Sequence, residues 1–346
     1  MRVLELFSGI GGMHFALKES GVPFSYIVAA EISTSANPVY KLNFPRACLL
    51  CRNIESFGVD EIDRISPDIL LMSPPCQPYT RNGLKKDTKD KRSCALINLL
   101  ELLPKLNGSL KYILVENVRG FETSNARQKL LDFLVDNHFN YQEFLLSPTQ
   151  FGISNSRTRY YLIAKKKPLE FGFPITSSII TDPAKAGFPM DIGDSCFPIS
   201  SILEVEDNFD SPSYKELLIP IERLAKQINV LDIVSKDDAR SCCFTKSYSI
   251  YMEGTGSVYS PFPLNSSELD RIPKRENYSS EEQFFKALES LKLRFFSPKE
   301  ISRLMCFPEE FRFPENHTLK QKYKLLGNSI NVKVVAYLIR LMINEN

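Results

Sequence analysis

The sequence predicts an α/β protein, a doubly wound and mostly parallel sheet accompanied by a smaller, irregular second unit. Three observations carry that expectation. Through residue 167, short apolar runs alternate with amphipathic stretches, which is the pattern of βαβ units. The first apolar run passes into a glycine-rich turn that opens a helix. After Lys167 the alternation fails, and the stretch to residue 213 is rich in proline, serine and aspartate with no sustained period.

The expected strands are residues 3–7, 26–30, 69–72, 112–116, 142–146 and 160–164. Their apolar character on both faces is that of a sheet covered by helices, and such sheets bind ligands at the carboxyl ends of their strands. Residues 13–19 form a helix stopped at Gly21, and residues 95–103 and 128–135 carry apolar side chains at helical spacing. Farther on, Leu217, Leu218, Ile221, Leu224 and Ile228 predict one amphipathic helix, and Phe284, Phe285, Leu288 and Leu291 another. Ser297-Pro298-Lys299-Glu300 has a capping serine, a proline at the first helical position and a glutamate at the third, so a helix begins there. Residues 331–341 form the last helix. The expected units are therefore 1–167, 168–296 and 297–346.

The chain of 346 residues has a formal net charge of +2, which excludes a uniformly basic surface but allows local patches. Lys85, Lys86, Lys89, Lys91 and Arg92 form one such patch, and Lys165, Lys166 and Lys167 another. They are either solvated faces or contacts to phosphates. No run approaches the roughly 18 apolar residues of a membrane span, and Met1 leads into a strand rather than a signal peptide, so a cytosolic or nuclear setting without membrane is expected. Eight cysteines in a chain this long are expected to be thiols rather than a disulfide framework. Cys48 and Cys51 have zinc-ligand spacing, yet no second pair accompanies them and the chain holds three histidines, so no metal is expected.

Candidate chemistry gathers at the strand ends. Phe7-Ser8-Gly9-Ile10-Gly11-Gly12 permits a tight turn and close approach of a ligand to the backbone. Glu31, about twenty residues farther at the end of the second strand, can accept hydrogen bonds from both ribose hydroxyls. With no Walker lysine and a turn shorter than the pyrophosphate fingerprint, an adenosyl ligand without phosphates fits best. Pro74-Pro75-Cys76-Gln77 follows the strand 69–72, where two prolines restrict the backbone before one thiol. Cys76 is either a nucleophile or a buried structural cysteine. Glu116 ends another strand on the same edge. A thiolate adds to an aromatic pyrimidine only when the ring is made electron-poor, which a neighbouring acid does at the ring nitrogen, so Glu116 needs a raised pKa. The alternative is a helix-capping carboxylate. Arg157 and Arg159, two apart in an expected strand, share a face and suit a pyrimidine carbonyl or a phosphate, or are paired surface arginines.

Assembled in this order, the motifs resemble the cytosine-5 methyltransferase superfamily over nearly the whole chain. The glycine turn is similar to its S-adenosylmethionine loop, Pro75-Cys76-Gln77 to its nucleophile motif, and Glu116-Asn117-Val118 to its acid motif. Gln150-Phe151-Gly152-Ile153 through Arg157-Thr158-Arg159 resembles its cytosine-binding segment, and Gly327-Asn328-Ser329-Ile330-Asn331-Val332 the motif that completes the cofactor pocket. The segment from Cys243-Phe244-Thr245 through Tyr248, Tyr251, Gly254, Thr255 and Gly256 to Val258 resembles the signature of the branch that methylates tRNA-Asp at cytosine-38.

The resemblance implies a Rossmann-like class I methyltransferase that binds S-adenosyl-L-methionine and releases S-adenosyl-L-homocysteine. It implies cofactor contacts at Phe7, Ser8, Gly9, Ile10, Gly11, Gly12, Glu31 and Ile32. Further contacts are implied at Asn53, Ile54, Glu55, Ser73, Pro75, Asn328, Ser329 and Val332. Cys76 is implied as nucleophile, Glu116 as acid, and Arg157 and Arg159 as holders of the pyrimidine. Substrate contacts are implied at Gln77, Thr80, Arg81 and Lys85, and at Cys243, Phe244, Thr245, Tyr248, Tyr251, Gly254, Thr255 and Gly256. The implied partner is tRNA-Asp, with weak DNA binding, and the enzyme is expected to be a monomer. Two alternatives stand beside this reading, a DNA cytosine-5 methyltransferase and an inactive nucleic-acid-binding regulator. At 53–55 the chain has Asn-Ile-Glu where many DNA enzymes have an aspartate-isoleucine pair.

Overall fold

A computed structural model describes residues 1–75, 94–108, 110–188, 195–204, 208–262 and 272–344. Seven strands build its main sheet, namely β1 (Arg2–Leu6), β2 (Tyr26–Ala30), β3 (Cys48–Leu50), β4 (Ile69–Met72), β5 (Tyr112–Val118), β6 (Phe139–Leu146) and β7 (Arg159–Lys166). Their order is β3-β2-β1-β4-β5-β7-β6. The first five strands pair in parallel, and β7 runs antiparallel to both β5 and β6.

The alternation of side chains along each strand divides the core into two layers. Val3, Ala29, Leu71, Leu114 and Tyr161 face one way, onto α1 (Gly12–Ser20). Leu4, Val28, Leu70, Val115 and Leu162 face the other way. Helix α2 (Asn37–Asn43) joins α1 on the first layer through Val39 and Tyr40, and the second packs against α3 (Val59–Ile65), α4 (Cys94–Leu102) and α5 (Asn125–Asp136). Helix α1 ends at Gly21, whose φ of 72° suits a residue without Cβ.

Two expectations about elements are corrected. Strand β3 was not anticipated, because three half-buried residues paired on one side only with β2 give no readable period. The single helix expected around 217–228 is two, α6 (Pro212–Leu217) and α7 (Ile221–Gln227), since Pro220 supplies no N–H to continue the first. Beyond them, β8 (Ile233–Val234) and β9 (Val258–Tyr259) form a small parallel pair, followed by α8 (Glu281–Ser290).

The chain then returns to the sheet through α9 (Pro298–Leu304), α10 (Leu319–Gly327) and α11 (Val332–Ile343). Residues 319–343 have the length and hydropathy of a membrane-crossing segment. They are two helices, however, and α11 lies in the same apolar cluster as α1, with Arg340 Nε donating to Ser20 O at 2.8 Å. The start of α9 has the capping box the sequence predicts. Glu300 N donates to Ser297 Oγ at 3.1 Å, and Ser297 N donates to Glu300 Oε2 at 2.8 Å. The same carboxylate takes a two-pronged ion pair from Arg294 at 2.8 and 2.9 Å, and both side chains are fully buried.

Removing one partner of a buried ion pair leaves the other uncompensated. Glu300→Ala is expected to lower the unfolding free energy by about 3–5 kcal/mol. Denaturant titration of the two proteins checks this, and a loss near zero would contradict the role given to the pair.

Candidate active site

The turn after β1 is built by backbone conformation. Phe7, Gly9 and Gly11 have φ of 57°, 53° and 86°. A Cβ on Gly11 would lie 2.4 Å from the ring of Phe44, and one on Gly12 would lie 2.7 Å from Ile330 and 3.0 Å from Ser329 Oγ. Glycine at these positions therefore lets the turn press against α2 behind it and the α10–α11 junction beside it.

Behind the turn sits a buried polar chain. Tyr40 Oη donates to Glu5 Oε2 at 2.8 Å, and His14 Nδ1 lies 2.9 Å from Tyr40 Oη with its ring stacked on Phe44. Burial pushes the Glu5 carboxyl up to about 8, against the Tyr40 hydrogen bond and with help from the Glu31 charge. Burial and the Lys18 charge push His14 down to about 4. The network is thus uncharged near neutral pH.

In front of the turn lies a cavity of about 470 Å³, within the range of ligand pockets. Glu31 lines it with its carboxylate already held, since Gly9 N donates to Oε2 at 2.9 Å and Ser33 N to Oε1 at 2.7 Å. Each oxygen keeps a further lone pair for a ligand hydroxyl. Phe7, Ser8, Gly9, Ile10, Gly12, Ile32, Asn53, Ile54, Glu55, Ser73, Pro75, Asn328 and Ser329, for which the resemblance implies cofactor contacts, also line the wall. A glycine cradle facing a fixed carboxylate, with apolar Ile32 and Ile54 nearby, suits an adenosyl group. Asn53 Oδ1 accepts from Glu55 N at 3.2 Å and so caps its own turn.

Two implied cofactor residues stand elsewhere. Gly11 packs on Phe44, and Val332 is buried at the start of α11, its N–H donating to Met305 O at 2.9 Å. Arg52, Ala36 and Leu325 line the wall without having been anticipated. Arg52 adjoins the Asn53 motif, whereas an apolar helical residue such as Leu325 gives no signal in the sequence.

At the far end of the cavity, Glu116 is 8% exposed on β5. Burial raises its pKa, opposed by the guanidinium groups of Arg159 and Arg157. Arg159 Nε lies 3.6 Å from Glu116 Oε1. Asn117 Nδ2 donates to Pro74 O at 3.4 Å, tying the end of β5 to the segment that leads to Cys76. Cys76, Gln77, Thr80, Arg81 and Lys85 lie outside the described residues.

A profile of the family described as C-5 cytosine-specific DNA methylase matches residues 1–344. This chain belongs to that family. The methylase is 42% identical to the human protein named tRNA (cytosine(38)-C(5))-methyltransferase, with 99% of each chain covered. It is 38% identical to a Dictyostelium discoideum protein named DNA (cytosine-5)-methyltransferase, covering 100% of this chain and 95% of that one. Its fold matches a crystal structure of a mutant Spodoptera frugiperda DNMT2 with a TM-score of 0.87, at 41% identity and 99% coverage of both chains. The methylase is accordingly an enzyme, with the mixed seven-stranded sheet of those structures.

Within the methylase, the two arginines differ. Arg157 precedes β7 rather than lying in it, and is 3% exposed. Its Nη1 donates to Phe244 O at 3.0 Å and Cys243 Sγ at 3.3 Å, and its Nη2 donates to Gly327 O at 3.1 Å and to Ser329 O. Its terminal donors are thus engaged, and it lines the cavity together with Arg159. Arg159 Nη2 reaches Cys243 Sγ at 3.7 Å. Burial raises the Cys243 thiol, but the charges and hydrogen bonds of the two arginines outweigh it and lower its pKa.

The implied substrate segment also divides. Phe244 and Tyr248 are each 2% exposed, and Tyr248 Oη donates to Ser257 O at 2.7 Å while accepting from Phe296 N at 2.9 Å. A Cβ on Gly256 would meet both rings at 2.7 Å. Thr255 Oγ1 donates to Tyr251 O, and Thr245 N donates to Thr255 O. Phe244, Tyr248, Thr255 and Gly256 are therefore framework, where substrate contacts were expected. Gly254, with φ of 65°, makes the turn. Tyr251, 66% exposed, presents its ring to solvent.

The Glu5 carboxyl yields a pH test. Its native pKa lies above the ordinary 4.5, so the folded protein holds a proton that the unfolded chain has released. Stability should fall as pH rises from 4.5 to about 8, by about 1.4 kcal/mol per unit relative to Glu5→Gln. Denaturation of both proteins at several pH values checks this, and parallel pH profiles would contradict it.

Proposed function

We propose that this enzyme methylates C5 of cytosine-38 in the anticodon loop of tRNA-Asp, using S-adenosylmethionine. The observation that carries the reading is the buried Glu116 carboxyl, its pKa raised, beside Arg159 at the end of the cavity fronted by Glu31. Support for the substrate comes from the relatives named tRNA (cytosine(38)-C(5))-methyltransferase, which align over nearly their whole length.

Glu31 receives the ribose hydroxyls of the methyl donor, and the glycine turn gives its backbone close approach. When bound, S-adenosylmethionine supplies an electrophilic methyl group. The target cytosine must leave its stack at a cost of a few kcal/mol, less in a single-stranded loop than in a duplex. Arg159 donates to the pyrimidine carbonyl, and Glu116 hydrogen-bonds or protonates N3. The Cys76 thiolate then forms a bond to C6, and the electron pair displaced from the C5–C6 double bond makes C5 nucleophilic. After C5 has gained the methyl group, loss of its proton restores the double bond and expels the thiolate. In this reading residues 1–167 carry the chemistry, 168–296 recognise the target and 297–346 complete the cofactor pocket. The enzyme acts as a monomer in the cytosol, and also in the nucleus.

A second reading, methylation of DNA cytosine, is favoured by the Dictyostelium relative's name. It uses the same residues. Transfer of labelled methyl to an unmodified tRNA-Asp transcript, to its cytosine-38 variant and to duplex DNA separates the two. Label on the first alone, abolished by Cys76→Ala, is expected. Label chiefly on DNA would overturn the substrate, and no label anywhere would favour a binding role. Glu116→Gln should retain tRNA binding and lower kcat by about 10²–10⁴-fold, the range of general acid catalysis.

A further inference from the structure

Arg157 joins two segments that are far apart in sequence. On one side are the carbonyls of Gly327 and Ser329, both on the wall of the cofactor cavity. On the other are the Phe244 carbonyl and the Cys243 sulfur, and Cys243 in turn touches Arg159. The two segments also abut directly, since a Cβ on Gly327 would lie 2.1 Å from the Thr245 carbonyl carbon and 2.2 Å from Lys246 N. At the cofactor end, the same junction presses on the glycine turn through Ser329, Ile330 and Gly12. A continuous path of contacts therefore runs from the turn through Arg157 to the arginine beside Glu116.

The guanidinium suits this place. It is planar, permanently charged and presents paired donors in opposite directions, so one side chain can satisfy carbonyls from two segments at once. Among the described residues its hydrogen-bond partners are three carbonyls and a thiol whose own pKa it helps to lower, while burial and the Arg159 charge depress its own pKa and its Nε finds no partner. A lysine has three donors on a compact ammonium and cannot reproduce the fork.

We propose that Arg157 is a positioning residue that couples the two pockets, so that filling the cofactor cavity orders the 243–247 segment and, through Cys243, fixes Arg159 for the target base. The inference rests on the reading of the cavity as the S-adenosylmethionine pocket. Coupling of this kind is reciprocal, so a bound target strand should tighten the cofactor in the same proportion.

Amide hydrogen exchange of the full chain, with and without saturating S-adenosylhomocysteine and with no RNA present, tests it. Slower exchange is expected at residues 7–12 and 327–330, which face the cavity, and also at 243–247, by about fivefold or more. In Arg157→Lys the protection at 7–12 and 327–330 should persist while that at 243–247 is lost. Protection confined to the cavity wall in the wild-type protein would overturn the coupling and leave the cofactor reading intact. Protection nowhere would overturn the cofactor reading, and the coupling with it. Undiminished protection at 243–247 in Arg157→Lys would overturn the role of the guanidinium fork. Should that variant fail to fold, the wild-type comparison alone decides.

Discussion

Because β7 runs antiparallel between β5 and β6, its first residue stands beside the last residue of β5. Val118 pairs with Arg159, and Glu116 with Tyr161. The carboxyl ends of β1, β2, β4 and β5 thus meet the amino end of β7 on one edge. Were β7 parallel, its eight residues would carry Arg159 to the opposite edge, roughly 20 Å away at 3.3 Å per residue. No side chain spans that distance. Glu116, Arg159 and the glycine turn share a cavity because one strand is reversed.

Two kinds of charged cluster contrast among the described residues. Arg294 with Glu300, and Arg127 with Glu143, are closed pairs whose donors and acceptors answer one another at 2.6–2.9 Å. They hold elements together. At the candidate site the pairing is looser, with Arg159 3.6 Å from Glu116 and Arg157 turned towards carbonyls and a thiol. A carboxyl so placed is driven towards its neutral form by burial and only partly drawn back by the arginines. Incomplete compensation leaves hydrogen-bonding capacity for a substrate, which is what distinguishes a reactive cluster from a structural one.

The features legible in the sequence are those whose chemistry depends on local chain geometry. The glycine turn, Glu31 and Glu116 sit at ends of apolar runs that are easy to read, and the capping box at Ser297 is visible in four residues. Strand β3 is too short to show a period, and Pro220 divides an apolar pattern that looks continuous when only hydrophobicity is followed. The direction of β7 is set by tertiary pairing, which spacing does not encode. The burial of Phe244 and Tyr248 is hidden in the sequence for a related reason. A signature marks residues as important without saying whether they face a ligand or the aromatic core formed with Phe295, Phe296 and Tyr323. Arg157 was placed in the right neighbourhood, but its partners at 243–244 and 327–329 lie some 90 to 170 residues away in the chain.

The tight fit of Gly327 against Thr245 and Lys246 bears on how mutational surveys of this protein would be interpreted. Any side chain there must displace backbone rather than a flexible tip, so nearly every substitution would score as null. A ranking of positions by tolerance alone would place Gly327 level with the residues that touch the reacting atoms. Intolerance at that position reports the steric closeness of two polypeptide segments, and separating it from chemistry requires a ligand-binding or folding assay alongside the activity score.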